Sequence, residues 1–235
     1  MHLSAYVCKT VHVNDNLYEH LNCVEQLPEN SVIAIATKVV SLCEGAVVDN
    51  TYNKIKLAEK MAIKSLPLKK YPSDILTVYQ AKCFPNSGID GSNADGNNWV
   101  IYPKEPFSHA KKIWEFFTDK YNVKNLGVIL TDSVSQPFRY GSCGFAIAWW
   151  GMKPLINKIG TNDCFGKILN ISQVNIVDAL ASSAVLCMGE GNEHKPFVVI
   201  QNAPQIEFTN NNCALTDLEV PEEIDMYQEL FAAFK

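Results

Sequence analysis

A single arginine, Arg139, stands among the 20 Lys and Arg residues of this 235-residue chain, and 25 Asp and Glu leave a formal net charge of −5. Binding to a nucleic-acid backbone or an anionic membrane rests on clustered Lys and Arg, so neither is expected as the main partner. A local cationic pocket for a small anionic ligand is compatible with that balance. Long apolar runs are also missing: Gly144–Met152, the most apolar stretch, is far too short to span a bilayer. Met1–Thr10 has no basic segment leading into an apolar core and no small-residue cleavage site, which predicts a mature cytosolic protein. The eight cysteines include no close C-x-x-C pair. Neither a paired-ligand zinc site nor a secreted disulfide framework is expected; reduced thiols used as small core residues are.

Several catalytic signatures are absent. There is no G-x-x-x-x-G-K-[ST] phosphate loop, no G-x-S-x-G elbow and no H-E-x-x-H motif, and Gly189-Glu190-Gly191 lacks the third glycine of a dinucleotide fingerprint. The five histidines are dispersed and read as solvated or internally satisfied.

What is present is a globular composition, 47% apolar and 19% charged, able to bury a sizeable core. No repeat or linker marks a boundary, so residues 1–235 read as one unit, with two sub-domains possible but no readable division. Ser31–Ala36 (SVIAIA) and Gly127–Thr131 (GVILT) read as buried strands, the second ending in Asp132-Ser133. Ala46–Asp49 is expected to pair with the first, turned back by Gly45. Phe145–Trp150 and Phe197–Gln201 are further strands, and Trp99–Tyr102 a short one after the polar loop 88–98. The spacing predicts helices over Lys54–Ala62, Pro106–Tyr121, Asp178–Met188 and Glu222–Phe234. Strands and helices alternate irregularly, which favours a mixed α+β fold over a doubly wound sheet.

Polar groups cluster where these elements end. Asp90 lies in a Gly-flanked loop, Asp132 and Ser133 close a buried strand, and Glu190 follows a helix between two glycines. If the three places converge, they form an all-oxygen set suited to Mg²⁺ or Mn²⁺ rather than zinc.

Taken in order, the segments SVIAIATKVVSLCEGAVV (31–48), NSGIDGSN (86–93), GVILTDSVSQPFRYGSCG (127–144), 145–169 with its GTNDCFGKIL ending, and DALASSAVLCMGEG (178–191) resemble the coenzyme F420-0:γ-glutamyl ligase family, including a bacterial branch associated with folate glutamylation. The resemblance implies an amide ligase that uses GTP or ATP, Mg²⁺ or Mn²⁺ and K⁺ to attach L-glutamate to a cofactor's carboxylate tail. It also implies a two-part α+β fold and an intertwined homodimer. On the matching positions, Asp90 and Asp132 would hold one metal, and Ser133 with Glu190 a second. Asn93 would contact the nucleotide, with Thr37, Lys38, residues near Cys8–Val11 and the stretch from Met188 through Gly189 and Gly191 lining its pocket. Arg139 and Lys38 would supply fixed cations, with Lys167 a further candidate.

Departures from the family pattern fall at Leu42, Gln136 and Tyr140, where cations are usual. Their loss tilts the expected acceptor from the more anionic deazaflavin tail of F420-0 towards a folate-type tail. Two other classes fit the residues: a non-catalytic nucleotide- or metal-binding protein, and an unrelated metal-dependent hydrolase.

Overall fold

The computed structural model describes residues 1–234. In chain order, the first elements are β1 (His2–Tyr6), α1 (Leu17–Leu21), β2 (Ser31–Ala36), α2 (Thr37–Glu44), β3 (Val47–Asp49) and α3 (Lys54–Met61). Then come β4 (Lys64–Pro67), β5 (Ile75–Tyr79), β6 (Lys82–Pro85), β7 (Asn98–Val100) and α4 (Pro106–Tyr121). The last are β8 (Leu126–Ser135), β9 (Ser142–Trp150), β10 (Leu155–Asn157), β11 (Gln173–Asn175), α5 (Ile176–Met188) and β12 (Phe197–Gln201). The mixed α+β class expected from the sequence is observed.

A five-stranded sheet in the order β1-β12-β2-β8-β9 carries the core. Only β2 and β8 run parallel, in a register that sets Ala36 opposite Thr131. Their apolar runs are buried along almost their whole length, as expected for strands covered on both faces. Helix α4 packs on β8 and β9, where Phe107 meets Trp149 edge to face at 5.0 Å between ring centroids. Helix α5 lies against β9 and β8, and its Ala181 and Val185 occupy the space a side chain at Gly144 would need. Trp149 is fully buried and Trp150 nearly so, in keeping with a core role for both. Around this sheet stand a three-stranded sheet β4-β5-β6 and the two-stranded pairs β3-β7 and β10-β11.

Three expectations are corrected. Residues 46–49 do not return to β2: the chain first forms α2, Gly45 ends that helix with φ 74°, and β3 pairs with β7 instead. Strand β8 does not stop at Thr131 but continues through Asp132 and Ser133 to Ser135, paired with β9. The terminal α-helix over Glu222–Phe234 is replaced by two 3₁₀ turns, Glu222–Ile224 and Gln228–Ala233. Ile224, Met226 and Leu230 of that segment stay exposed, so no buried apolar face repays ordering a full helix. All eight cysteines are free thiols, but only Cys8 and Cys213 are buried, and Cys143 and Cys164 are exposed. Among the described residues, no helix is long and apolar enough to cross a membrane.

Candidate active site

The parallel pair β2/β8 ends at a cavity of about 410 Å³. In open sheets the carboxyl ends of parallel strands, where connections diverge, form a natural crevice for ligands. Here β2 passes directly into α2, while β8 is re-aimed just before its functional residues. Leu130 pairs with Ala148 and Thr131 with Ala146, so Ile147 is an extra residue opposite the step from Leu130 to Thr131. Such a bulge bends the ladder and redirects the side chains that follow it.

Helix α2 opens towards the cavity without a side-chain cap, because its N-cap residue is Ala36. Its first backbone N–H groups therefore keep their hydrogen-bonding capacity. Thr37 is 1% exposed, and its buried hydroxyl has no partner among the described residues. Ala36, Thr37, Lys38 and Val39 all line the cavity. An uncapped helix start with a free hydroxyl and a lysine is suited to phosphate oxygens.

Two carboxylates face this helix start. The Lys38 ammonium donates to Asp90 Oδ2 at 2.6 Å and to the Ser92 carbonyl at 2.6 Å. The Ser92 N–H donates to Asp90 Oδ1 at 2.9 Å, and the Ser92 hydroxyl also donates to Asp90. Burial raises the Asp90 carboxyl, but Lys38 and Ser92 outweigh it and hold the group below the usual carboxylate range. Asp132 accepts from the Tyr102 hydroxyl at 2.5 Å and from the Ser133 N–H at 2.8 Å. There burial wins over both hydrogen bonds and the nearby Lys38 charge, so the Asp132 carboxyl is pushed up. Tyr102 itself is buried; a Cβ at Gly88 would come within 2.3 Å of its ring, so this close approach needs the glycine.

The loop after α5 closes the other wall. Gly189 has φ 80°, and a side chain there would strike the Glu193 carboxylate at 2.3 Å. That carboxylate in turn accepts from the Gly191 N–H at 2.8 Å. Glu190 accepts from Ser133 and Ser142 hydroxyls, both at 3.1 Å. Asn93 donates to the Gly191 carbonyl at 3.4 Å, joining the Asp90 loop to the Glu190 loop.

Ten of the expected site residues thus line one cavity: Thr37, Lys38, Asp90, Asn93, Asp132, Ser133, Met188, Gly189, Glu190 and Gly191. Cys8–Val11 and Leu42 line it as well. Arg139 does not: it lies in the exposed β8–β9 turn with Phe138 and Tyr140, outside the cavity within a single chain. Lys167, also exposed, does not line it either. Sequence reasoning missed Tyr102, which carries no motif, and Lys195, an isolated lysine of the lining.

Among the described residues, no three His, Cys, Asp or Glu side chains converge as a ready-made metal cage. The donors nevertheless suit a hard cation that shares its ligands with phosphate and water, because Mg²⁺ in nucleotide sites commonly takes only one or two carboxylates from the protein. Asp90 with Asp132, and Ser133 with Glu190, are two such pairs.

The cleft thus sets an uncapped helix start and a lysine opposite a group of carboxylates. A family model described as F420-0:gamma-glutamyl ligase matches residues 5–202. The chain is 35% identical over 203 residues to a coenzyme F420:L-glutamate ligase of Methanococcus maripaludis strain S2, covering 78% of this chain and 80% of that one. It is 32% identical over 219 residues to the protein of the same name from Methanocaldococcus jannaschii, with 86% of each chain covered. The corresponding figures for the Methanosarcina barkeri protein are 28% over 235 residues, 93% and 91%. The chain belongs to the F420-0:gamma-glutamyl ligase family, and its enzymatic class is that of an amide-forming ligase.

Proposed function

We propose that the chain is a nucleotide-dependent ligase that joins the amine of L-glutamate to a carboxylate on an F420-0-type acceptor. The observation that carries this reading is the convergence on one cavity of the uncapped α2 start, Lys38 and the carboxylates Asp90, Asp132 and Glu190. The folate-type acceptor expected from lost cations is not favoured by the relatives or by the cavity of a single chain. Gln136 and Tyr140 stand on an exposed turn outside the cavity, and Leu42 alone of the three lines it. Lys9 and Lys195 add positive charge to the cavity wall. The relatives' names also carry F420 rather than folate.

A carboxylate is a poor electrophile and needs activation before an amine can attack it. The acceptor carboxylate attacks the terminal phosphorus of the nucleoside triphosphate, GTP or ATP, and the diphosphate leaves. The glutamate amine then attacks the acyl carbon and displaces phosphate. Such a transfer is governed by positioning and charge neutralisation. The Thr37 hydroxyl and first N–H groups of α2 receive phosphate oxygens, and Lys38 supplies a fixed positive charge. Tyr102 orients Asp132, and Ser92 orients Asp90. Asp90 and Asp132 would hold one Mg²⁺ or Mn²⁺, and Ser133 with Glu190 a second. When bound, these ions neutralise charge on the phosphate oxygens.

K⁺ and a homodimer belong to the same reading. Exposed Phe138, Tyr140, Phe165, Ile168, Ile171 and Leu186 support the latter, since large apolar residues left in contact with water are candidates for burial between subunits.

The test is mass spectrometry of the protein with GTP or ATP, Mg²⁺ or Mn²⁺, K⁺ and L-glutamate, incubated separately with F420-0 and with reduced folate monoglutamate. Nucleotide-dependent gain of one glutamyl unit by F420-0 is expected. Gain by folate alone would overturn the acceptor, and nucleotide binding without gain on either would favour the non-catalytic reading.

A further inference from the structure

The cavity wall also contains a group that the ligase chemistry does not use. Cys8, two residues past β1, is 5% exposed and lines the cavity. Its backbone N–H donates to the His194 carbonyl at 2.8 Å, which fixes the residue against the loop after α5. Its sulfur lies 3.3 Å from His20 Nδ1, and His20 Nε2 lies 2.9 Å from Asp15 Oδ2. Asp15 is held in turn by the His12 N–H at 2.9 Å. The short helix α1 brings these groups together, with Asp15 just before it and His20, 2% exposed, in its last turn. A thiol, an imidazole and a carboxylate in line are the arrangement that draws the proton from sulfur and keeps the imidazole oriented. Cys23 follows on the next turn, its backbone N–H donating to the His20 carbonyl at 3.2 Å; the neighbouring Cys23 and His20 together outweigh burial and hold the Cys8 thiol below its ordinary range.

We propose that Cys8 is a covalent modification site, a thiol that a hydroperoxide reaching it through the cavity oxidises, with Cys23 as the partner that converts the product to a disulfide. The Cys8 sulfur attacks one peroxide oxygen, forming an S–O bond and breaking the O–O bond. The proton taken up by His20 passes to the leaving oxygen, which departs as water or an alcohol. The Cys23 sulfur then attacks the sulfenic sulfur; the S–S bond forms, the S–O bond breaks, and hydroxide leaves with the Cys23 proton as water. Two thiols are oxidised by two electrons and one hydroperoxide is reduced. This inference stands apart from the ligase reading, because every readout is of the cysteines themselves.

The test treats the full chain with substoichiometric hydrogen peroxide, blocks remaining thiols and maps the peptides. Exposed Cys143 and Cys164 serve as internal comparators. The first product should be lighter by two hydrogens and linked through Cys8 and Cys23, forming at least about tenfold faster than either comparator oxidises. In Cys23→Ser the Cys8 sulfenic acid should persist and be trapped by dimedone. Asp15→Asn changes only a partly exposed carboxylate and should slow Cys8 oxidation severalfold while the thermal melt is retained. The proposal is overturned if Cys143 or Cys164 oxidises first in the folded wild type, or if Cys23→Ser yields no dimedone adduct at Cys8.

Discussion

Asp90 and Asp132 face one cavity from two different parts of the chain, and their environments pull them in opposite directions. Asp90 comes from a polar loop beside the small strand β7 and is pinned by a lysine and a serine; its charge is compensated and its carboxyl is held down. Asp132 comes from the central sheet, just past a bulge, in a buried setting where a tyrosine hydroxyl, one backbone N–H and the Lys38 charge do not offset burial, and its carboxyl is pushed up. Identical side chains thus act as a compensated anchor on one side and an undercompensated carboxylate on the other. The difference shows where the site lacks positive charge: at Asp132, beside the uncapped start of α2.

The largest effect should come from removing that undercompensated charge. Asp132→Asn should lower turnover at least about a hundredfold, measured as glutamyl transfer, because a cation ligand at the reacting phosphates is lost. The sign of the stability change is the opposite. A carboxyl whose folded pKa is raised contributes stability below its unfolded pKa and loses it as pH rises through the folded value. The neutral amide avoids that loss, so the ligand-free variant should melt no lower than wild type at pH 7. A large fall in melting temperature would mean that the Asp132 charge is structurally compensated after all.

Next in size, Lys38→Met should weaken nucleotide binding about tenfold by calorimetry, through loss of a charge-assisted contact. It should also return the Asp90 carboxyl towards its ordinary range, since Lys38 is the foremost group holding it down against burial. Tyr102→Phe removes a hydrogen bond that favours the Asp132 carboxylate, so the Asp132 pKa should rise further. The acid limb of the pH–rate profile should therefore move to higher pH, with a larger loss of rate on the acid side of the profile than on the alkaline side. An unmoved limb would detach Asp132 from turnover. The smallest effect is expected at the exposed turn: Arg139→Lys should change nucleotide affinity by less than about twofold, because Arg139 lies outside the cavity.

The same contrast explains what the sequence reveals and what it hides. Pro106–Tyr121 was legible because apolar positions recur at helical spacing behind a proline at the start, and Phe197–Gln201 because it is a short apolar run between polar segments. Helix α2 was not legible. Ala36 gives it no cap signal, and Thr37, Val39 and Val40 prolong the β-branched pattern of the strand before it. The sheet β4-β5-β6 was hidden by short strands, two of which end in proline.

The site was legible mainly as collinear motifs: Asp90, Asp132 and Glu190 each follow a recognisable segment. Tyr102 carried no such mark, because its role arises only when Gly88 lets it approach Asp132. The Cys8–His20–Asp15 alignment was equally hidden: Cys8 reads singly as a core thiol and His20 as a solvated or satisfied histidine, and Asp15 belongs to no motif. Arg139 was expected at the site from the resemblance; within a single chain it stands on an exposed turn outside the cavity.

The central claim is that a hard cation and a nucleotide meet at Asp132. Calorimetric titration of GTP and of ATP into the protein, with and without Mn²⁺, in wild type and Asp132→Asn, tests it most directly. The account predicts that one or both nucleotides bind wild type tightly only with Mn²⁺, and that the variant loses the metal dependence. Equal affinity with and without Mn²⁺ in wild type, or a metal dependence unchanged in the variant, would contradict it.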